Sequence, residues 1–194
     1  MKNRKEEAKN ILASNARLIS KDEAAQVNGM ASELVDSTAT VKVELPAGAI
    51  NELLTSANNP ESRRGIMSFS KGKLESGSIV VTGIRFGYSA TTAGDDVATK
   101  TFTQTGIPAD VANGVIEIKQ AGIVVRTIAV SNLIVAGDAP QNLKDRVYEL
   151  DAPFLLGRDL NTSIVFYRPE GIDGAVVAVS IEFVGMQLAA KRVA

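Results

Sequence analysis

The sequence predicts a mainly β protein in which an antiparallel sandwich or barrel follows an N-terminal helical arm. From Thr38 onward, about eight to ten short segments alternate apolar with polar residues, and Gly, Pro, Asn and Asp separate them. No helical pattern is interleaved with these segments, which favours antiparallel pairing over a parallel α/β sheet. We therefore divide the chain into an arm, residues 1–36, and a β domain, residues 37–194.

The clearest strand pattern lies near the C-terminus. In residues 175–188 one side of the predicted strand is apolar, formed by Val177, Val179, Ile181 and Phe183. Residues 162–168 form a second, largely apolar run, and residues 169–174 between them have turn composition. We expect these two runs to pair as a hairpin at the centre of the β domain, because a hairpin alone is only marginally stable.

Residues 3–36 are predicted to form two short helices with a break near Ser20. Ser20 and Glu23 fit a capping box, in which each side chain bonds the backbone amide of the other residue. Apolar residues at helical spacing form one narrow stripe, with Ile11, Leu12, Ile19, Val27 and Leu34 as its principal members. Short helices gain most of their stability from packing, so the stripe lies either on the protein's own β domain or against a neighbouring subunit.

Alternation and turn residues define the remaining strands. They are predicted at residues 40–45, 67–69, 78–89, 99–105, 115–120, 123–130, 133–135, 146–150 and 154–156. Ile50, Leu53 and Leu54 instead have the spacing of one or two helical turns. Gly83 and Gly87 share one face of their strand, which predicts a bend, a bulge or the close approach of another layer.

Composition excludes several classes of protein. The chain has 194 residues and is 45% hydrophobic, which suits one domain with a sizeable core. It contains no Cys and no His, so disulfides, thiolate–zinc sites and Ser-His-Asp or Cys-His catalysis are excluded. A net charge of −1 gives no global attraction to nucleic acid or to an anionic membrane. We expect a soluble protein without a Sec signal peptide or a transmembrane segment.

Charged residues offer few candidate sites. Asp95 and Asp96 are neighbours that point to opposite faces of an extended chain, so they make a poor acid–base pair. Asp151 and Asp159 flank residues 153–157, and Glu170 and Asp173 lie in a predicted turn. Any of these carboxylates could bind calcium, but no loop has the acidic spacing of an EF-hand, and turn formation explains them better. We predict no catalytic residue, no metal site and no cofactor.

A basic set around one loop is a candidate for contact with a polyanion. Its members are Arg63, Arg64, Lys71 and Lys73. Phosphate-binding surfaces usually cluster more cations than this, and acidic residues lie nearby, so a solvated loop face is the alternative.

The C-terminal half resembles a known structural class. The residues concerned are 115–119 before a glycine turn, 148–156, and the strands on either side of Pro169-Glu170-Gly171, which end at residues 181–185. Their order of strands and turns is similar to that of jelly-roll virion proteins, in particular bacteriophage capsid proteins. The resemblance implies a jelly-roll-like sandwich without catalytic residues, present in many copies, whose N-terminal arm contacts neighbours or the particle interior.

These observations lead to an expected function and two alternatives. We expect a virion structural protein, a capsid or capsid-associated subunit that is assembled in the host cytoplasm. Its partners would be further copies of itself, other virion proteins and, weakly, nucleic acid through the arm or the basic loop. The first alternative is a ligand- or glycan-binding sandwich of lectin or adhesin type, although the chain has few aromatic residues. The second is an enzyme that uses only carboxylates, Lys, Ser or Tyr.

Overall fold

A computed structural model describes residues 4–28, 33–54, 65–134, 147–169 and 174–189. The helices in these ranges are α1 (Arg4–Ser14), α2 (Lys21–Asn28) and α3 (Ala109–Ala112), with 3₁₀ turns at Ala16–Leu18, Val97–Thr99 and Val130–Asn132. The strands are β1 (Leu34–Leu45), β2 (Ile50–Leu54), β3 (Phe69–Ser70), β4 (Lys73–Leu74), β5 (Ile79–Ala90), β6 (Val115–Gln120), β7 (Ile123–Ala129), β8 (Tyr148–Leu156), β9 (Thr162–Tyr167) and β10 (Val177–Leu188).

The long strands form two four-stranded sheets. Sheet A has the order β1-β10-β5-β8, and sheet B has the order β2-β9-β6-β7. All neighbouring strands are antiparallel, and β3 with β4 makes a separate two-stranded hairpin. The prediction of a mainly β protein with antiparallel sheets is therefore confirmed.

One apolar core lies between the two sheets. Sheet A contributes alternate residues such as Val41, Phe86 and Phe183, and sheet B contributes Ile116 and Phe166 to the same cluster. Each of these five residues is no more than 1% exposed, so the interior is filled by side chains. The inward positions of β10, which begin at Val177, are those that the sequence pattern predicts.

The predicted C-terminal hairpin is wrong. β9 lies in sheet B between β2 and β6, whereas β10 lies in sheet A between β1 and β5. Both strands were located correctly, and each is central in its own sheet. Alternation specifies which face of each strand is buried but not which strand lies beside it, and here β9 pairs with β2 and β6 while β10 pairs with β1 and β5.

The predicted helical turns at Ile50, Leu53 and Leu54 are also wrong, because these residues lie in β2. The register of β2 against β9 shifts between Glu52 and Leu54. Leu53 and Leu54 consequently both reach the core, at 6% and 0% exposure. A bulge that turns two successive residues inward produces the same apolar spacing as a helical turn.

Three other predictions are changed in part. Only Thr103 of residues 99–105 bridges β5, through paired backbone hydrogen bonds to Tyr88. The two short strands around Pro153 are one strand, β8, whose place at the edge of sheet A tolerates a residue without an amide hydrogen. Residues 130–132 form a 3₁₀ turn, and Val135 lies outside the described residues. The predicted hairpin at Ala121-Gly122 is confirmed as β6–β7.

The boundary between the arm and the β domain differs from the predicted one. The predicted helical pattern reaches residue 36, but β1 begins at Leu34, which pairs with Leu188. The two helices and the break near Ser20 agree with the sequence pattern. We call residues 4–28 the helical segment. It packs against the outer face of sheet A.

Candidate functional site

A second apolar cluster joins the helical segment to sheet A. Ala8, Leu12 and Ile19 come from the segment, at 1%, 0% and 7% exposure. The sheet contributes one residue from each of its four strands, namely Leu34, Val80, Leu155 and Met186. These four lie where the strands come together at one end of the outer face, so the segment covers that end and leaves the other to different residues.

The capping box predicted at Ser20 is present and extends to the β domain. The Ser20 amide donates to the Glu23 carboxylate at 3.0 Å, and the Glu23 amide donates to Ser20 Oγ at 3.2 Å. The same carboxylate accepts from the backbone amide of Ser78 at 2.6 Å and from its hydroxyl at 2.8 Å. Ser78 Oγ in turn accepts from the Arg158 amide at 3.0 Å. One carboxylate therefore caps α2 and fixes it to the loop before β5.

This arrangement changes the acidity of Glu23. Burial disfavours the charged carboxylate, but the hydrogen bonds from Ser78 and Ser20 outweigh burial and lower the pKa of Glu23 below its ordinary value of 4.5. The carboxylate is consequently ionised at neutral pH and holds its hydrogen bonds there. This is a structural role, because a general acid or base needs a pKa near the working pH.

The five residues predicted to lie on the arm's apolar stripe all contribute to the second apolar cluster. Leu12, Ile19 and Leu34 are buried, and Ile11 and Val27 are partly buried against them. Leu34 belongs to β1 rather than to a helix. In the single chain the stripe therefore lies on its own β domain, which is the first of the two placements that the sequence left open.

An acidic groove runs between α1 and β8. Its volume is about 690 Å³, and its lining residues are Glu6, Glu7, Asn10, Ile11, Ser14, Asp151, Ala152 and Pro153. Arg4 forms an ion pair with Glu149. Three carboxylates without a lining cation give this groove a negative potential.

A cleft of opposite character lies on the uncovered end of the outer face of sheet A. Its volume is about 410 Å³, and its lining residues are Lys42, Arg85, Phe86, Gly87, Lys100, Thr101, Phe102, Ser180 and Glu182. The floor is formed by Gly87 and Ser180, which are directly paired across β5 and β10. Phe102 forms a wall that closes on this floor, since a Cβ on Gly87 would lie 3.0 Å from the Phe102 Cβ.

The predicted polyanion set is brought together only in part. Arg63 and Arg64 lie outside the described residues. Lys71 occupies the tight β3–β4 turn with φ 50°, and Lys73 lies on β4; both are exposed. Contact of this loop with a polyanion remains a prediction.

Of the other candidate carboxylates, Asp95 and Asp96 serve the local fold and Asp159 lies in a turn as predicted, whereas Asp151 lies exposed on β8 and not in a turn. Asp95 accepts from Lys100 at 2.6 Å and from the Thr92 amide at 3.1 Å, and Lys100 is the main cause of its lowered pKa. Asp96 caps the following 3₁₀ turn through the Ala98 amide. Turn formation therefore accounts for both carboxylates. Glu170 and Asp173 lie outside the described residues. Among the residues that the structure describes, no cluster of three or more carboxylates has the geometry to hold a metal ion.

A charged group on the outer face of sheet B is equally poorly suited to acid–base chemistry. Glu117 lies 2.6 Å from Lys119 and accepts from the Tyr167 hydroxyl at 3.1 Å. The Lys119 hydrogen bond lowers the pKa of Glu117, and Glu117 in turn raises the pKa values of Lys119 and Tyr167. All three groups are moved away from titration near neutral pH, the opposite of what proton transfer requires.

Exposed aliphatic residues mark the two edges of sheet B. In the described part of the chain, the exposed large hydrophobic residues are Ile50, Ile123 and Val124, at 67%, 70% and 46% exposure. Ile50 lies on the edge strand β2, and the other two lie on the opposite edge strand β7. An exposed edge strand presents both unpaired backbone groups and apolar side chains to a potential partner.

Comparison of the chain with protein-family models, curated proteins and solved structures finds no match.

Across the described ranges, none of the helices has the length and apolar character needed to cross a bilayer.

Sequence reasoning missed the cleft and the edge residues for a definite reason. The β1-β10-β5 register brings together positions 42, 85 and 180 of the cleft, and the bridge of Thr103 to Tyr88 brings residues 100–102 beside them. The one available signal was Gly87, whose predicted close approach is confirmed by Phe102. Gly83 is likewise confirmed, since a Cβ there would lie 2.3 Å from Val147 Cγ1.

Proposed function

We propose that this protein is a jelly-roll structural subunit of a virion, a capsid or capsid-associated protein that self-assembles through its β-domain surfaces and its N-terminal helical segment. The order of the strands carries the proposal. When the strands of the two four-stranded sheets are numbered along the chain, omitting β3 and β4, the sheets have the orders 1-8-3-6 and 2-7-4-5. That order supports a jelly roll, the architecture of many viral capsid proteins.

The pairing explains how such a roll arises. Strands 1 and 8, 2 and 7, 3 and 6, and 4 and 5 pair antiparallel, as they would in one long ribbon folded at the β6–β7 hairpin. Rolling the ribbon adds the contacts of β10 with β5 and of β9 with β6. The eight strands then make two sheets over one core.

The filled interior favours a structural role over catalysis or carriage of a ligand inside the roll. Phe69, Phe86, Phe166 and Phe183 are each 0% exposed between the sheets. A binding site in the interior would need an accessible cavity lined by a few polar groups. The absence of His removes the commonest general base as well.

The two edge strands of sheet B, which carry exposed aliphatic side chains, support self-assembly. Ile50 and Ile123 are more than half exposed and lie on opposite edge strands. Two different patches of this kind suit head-to-tail contacts, which generate rings or shells when repeated. Burial of these side chains against another copy would remove an edge that favours aggregation in a monomer.

A matched pair of variants tests this proposal. Ile123→Lys places a charge on the exposed β7 edge, and Thr92→Lys places the same charge on an exposed loop that follows β5. We expect particles or rings in negative-stain images of the wild type and of Thr92→Lys. Ile123→Lys should remain folded by circular dichroism and form none. Assembly of Ile123→Lys equal to that of the wild type would contradict the role of the edge.

The helical segment is proposed to act in assembly while its apolar contacts stay buried. Removal of residues 4–28 would uncover Val80, Leu155 and Met186, so simple truncation would create an aggregation surface of its own. Exchange of the segment onto the sheet of a neighbour would preserve the same contacts between copies. Contact with nucleic acid through this segment or the basic loop belongs to the same proposal.

The alternative of a glycan-binding module receives less support. Tyr88 and Tyr148 pack against the core, and Tyr167 is bonded to Glu117, so the three tyrosines do not form one stacking surface. They lie on three different strands, β5, β8 and β9. A specific observation, the cleft on sheet A, nevertheless points to a ligand of a different chemical class.

A further inference from the structure

We propose that the cleft on the outer face of sheet A binds the carboxylate group of a small ring-bearing acid. The cleft is separate from the edge strands of sheet B that carry the proposed assembly role. Its volume of about 410 Å³ falls within the range of small-ligand sites. The inference is independent of whether the protein is a virion subunit.

The shape of the cleft follows from the strand register. Lys42, Ser180 and Gly87 form one row across β1, β10 and β5, and Glu182 with Arg85 belongs to the next row. The small central residues leave a depression between long side chains on either side. Ser180 is only 4% exposed, because the longer side chains around it cover most of the floor.

The charges of the cleft leave Lys42 as the group suited to receive an anion. Arg85 forms an ion pair with Glu182 at 2.5 Å, and Lys100 forms one with Asp95 at 2.6 Å. In the described ranges no carboxylate lies within 4.0 Å of the Lys42 ammonium, which instead lies 5.6 Å from the centre of the Phe102 ring. The ring holds the ammonium over the cleft through a cation–π contact without neutralising its charge.

The neighbouring groups favour a compact ligand with one negative charge. Lys42 matches a single carboxylate, whereas Glu182 would repel a second negative group placed farther along the cleft. Phe102 and the aliphatic stem of Lys42 give the cleft an apolar wall, against which a ring attached to that carboxylate can pack. Aromatic acids and sugar acids share this chemistry.

Saturation-transfer NMR of the full-length protein tests the site, because it detects the ligand whether the protein is monomeric or assembled. The probes are sodium benzoate, sodium glucuronate and benzyl alcohol, which keeps the ring of benzoate but lacks the carboxylate. For the wild type at constant ionic strength we expect saturable binding of at least one acid with a Kd of about 1 mM. Benzyl alcohol should bind at least about tenfold more weakly than benzoate.

The variants distinguish binding in the cleft from a general electrostatic attraction between the protein and anions. Lys42→Met keeps the aliphatic stem and should weaken binding of the acid at least about tenfold, while Lys42→Arg retains it. Lys119→Met removes a lysine on β6, on the outer face of sheet B, and should leave binding unchanged. Binding of benzoate alone would identify the aromatic acids as ligands, and binding of glucuronate alone the sugar acids. Absence of saturable binding, or equal binding by Lys42→Met and Lys119→Met, would overturn the proposal.

Discussion

The carboxylate of Glu23 and both donors of Ser78 form a direct link between the helical segment and the β domain. The two hydrogen bonds, at 2.6 and 2.8 Å, join residues 55 positions apart in the sequence. A capping side chain usually serves only its own helix. Here it also bonds the loop before β5, so one ionised group acts together with the second apolar cluster to hold the helical segment on the β domain.

Glu23→Gln should loosen the helical segment. The single side-chain oxygen of glutamine can still accept hydrogen bonds, but without the strength that the carboxylate charge gives them. Its amide nitrogen is a donor and would face other donors. We expect a loss of about 1–3 kcal/mol in the free energy of local opening. Hydrogen exchange of amides in α2 measures this loss. Glu75→Gln, a substitution of the same type at an exposed position after β4, provides the control. Unchanged protection of α2 in Glu23→Gln would contradict the link.

The same link predicts that the stability of α2 against local opening depends on pH. Since the pKa of Glu23 is lowered in the folded state, its contribution is fully present above the unfolded value of 4.5 and is lost as the pH falls through the folded pKa. Protection of α2 should therefore decrease below about pH 4.5 in the wild type and depend less on pH in Glu23→Gln. Parallel pH profiles for the two proteins would assign the effect to other carboxylates.

Close packing around two glycines predicts that substituting each by alanine destabilises the fold to a different degree. A Cβ on Gly185 would lie 2.0 Å from the backbone oxygen of Val80, whereas one on Gly87 would lie 3.0 Å from the side chain of Phe102. A side chain can shift more readily than a paired strand. We expect Gly87→Ala to cost about 1 kcal/mol in the free energy of unfolding and Gly185→Ala about 3 kcal/mol or more. Denaturant titration measures both, and the reverse order would contradict this packing.

The stability of the fold should depend strongly on the buried cation Arg168 and on its partners. Its side chain is 0% exposed, lies 3.5 Å from Asp110 and donates to the Ala175 carbonyl at 2.9 Å. Gly174 makes room for the pair, because a Cβ there would lie 1.9 Å from the guanidinium. Arg168→Met leaves Asp110 without this partner and should cost about 3–5 kcal/mol in unfolding free energy.

A second substitution identifies the source of that cost. In Arg168→Met/Asp110→Asn the uncompensated carboxylate is gone, so we expect recovery of part of the lost stability. Thermal unfolding of the single and double variants gives the comparison. A double variant less stable than Arg168→Met would show that the ion pair is not the main contribution of Arg168.

Local features of the fold could be predicted from the sequence, and the pairing could not. The capping box at Ser20 and the β6–β7 hairpin depend on neighbours in the chain, and both are confirmed. The positions of β9 and β10 were also predicted, but their assignment to different sheets depends on contacts with β1, β2, β5 and β6. Alternation specifies which face of a strand is buried without specifying its neighbour.

The candidate sites illustrate the same limit. Lys42 lies within the strand predicted at residues 40–45, but nothing in its surroundings along the chain points to Phe102 or Ser180. The aliphatic residues of β7 were assigned to a strand, but their exposure follows from the place of β7 at the edge of sheet B. Sites assembled by strand register become visible only once the register is known.

The mass of the purified full-length protein in solution tests the assembly proposal most directly. Light scattering across protein concentration and salt, with negative-stain images of the same samples, distinguishes a subunit from a solitary domain. A single chain has a mass of 20.5 kDa. We expect uniform species of many times that mass, which disperse when Ile123→Lys is introduced. A protein that remains at the mass of one chain under every condition would contradict the proposal that it is a self-assembling virion subunit.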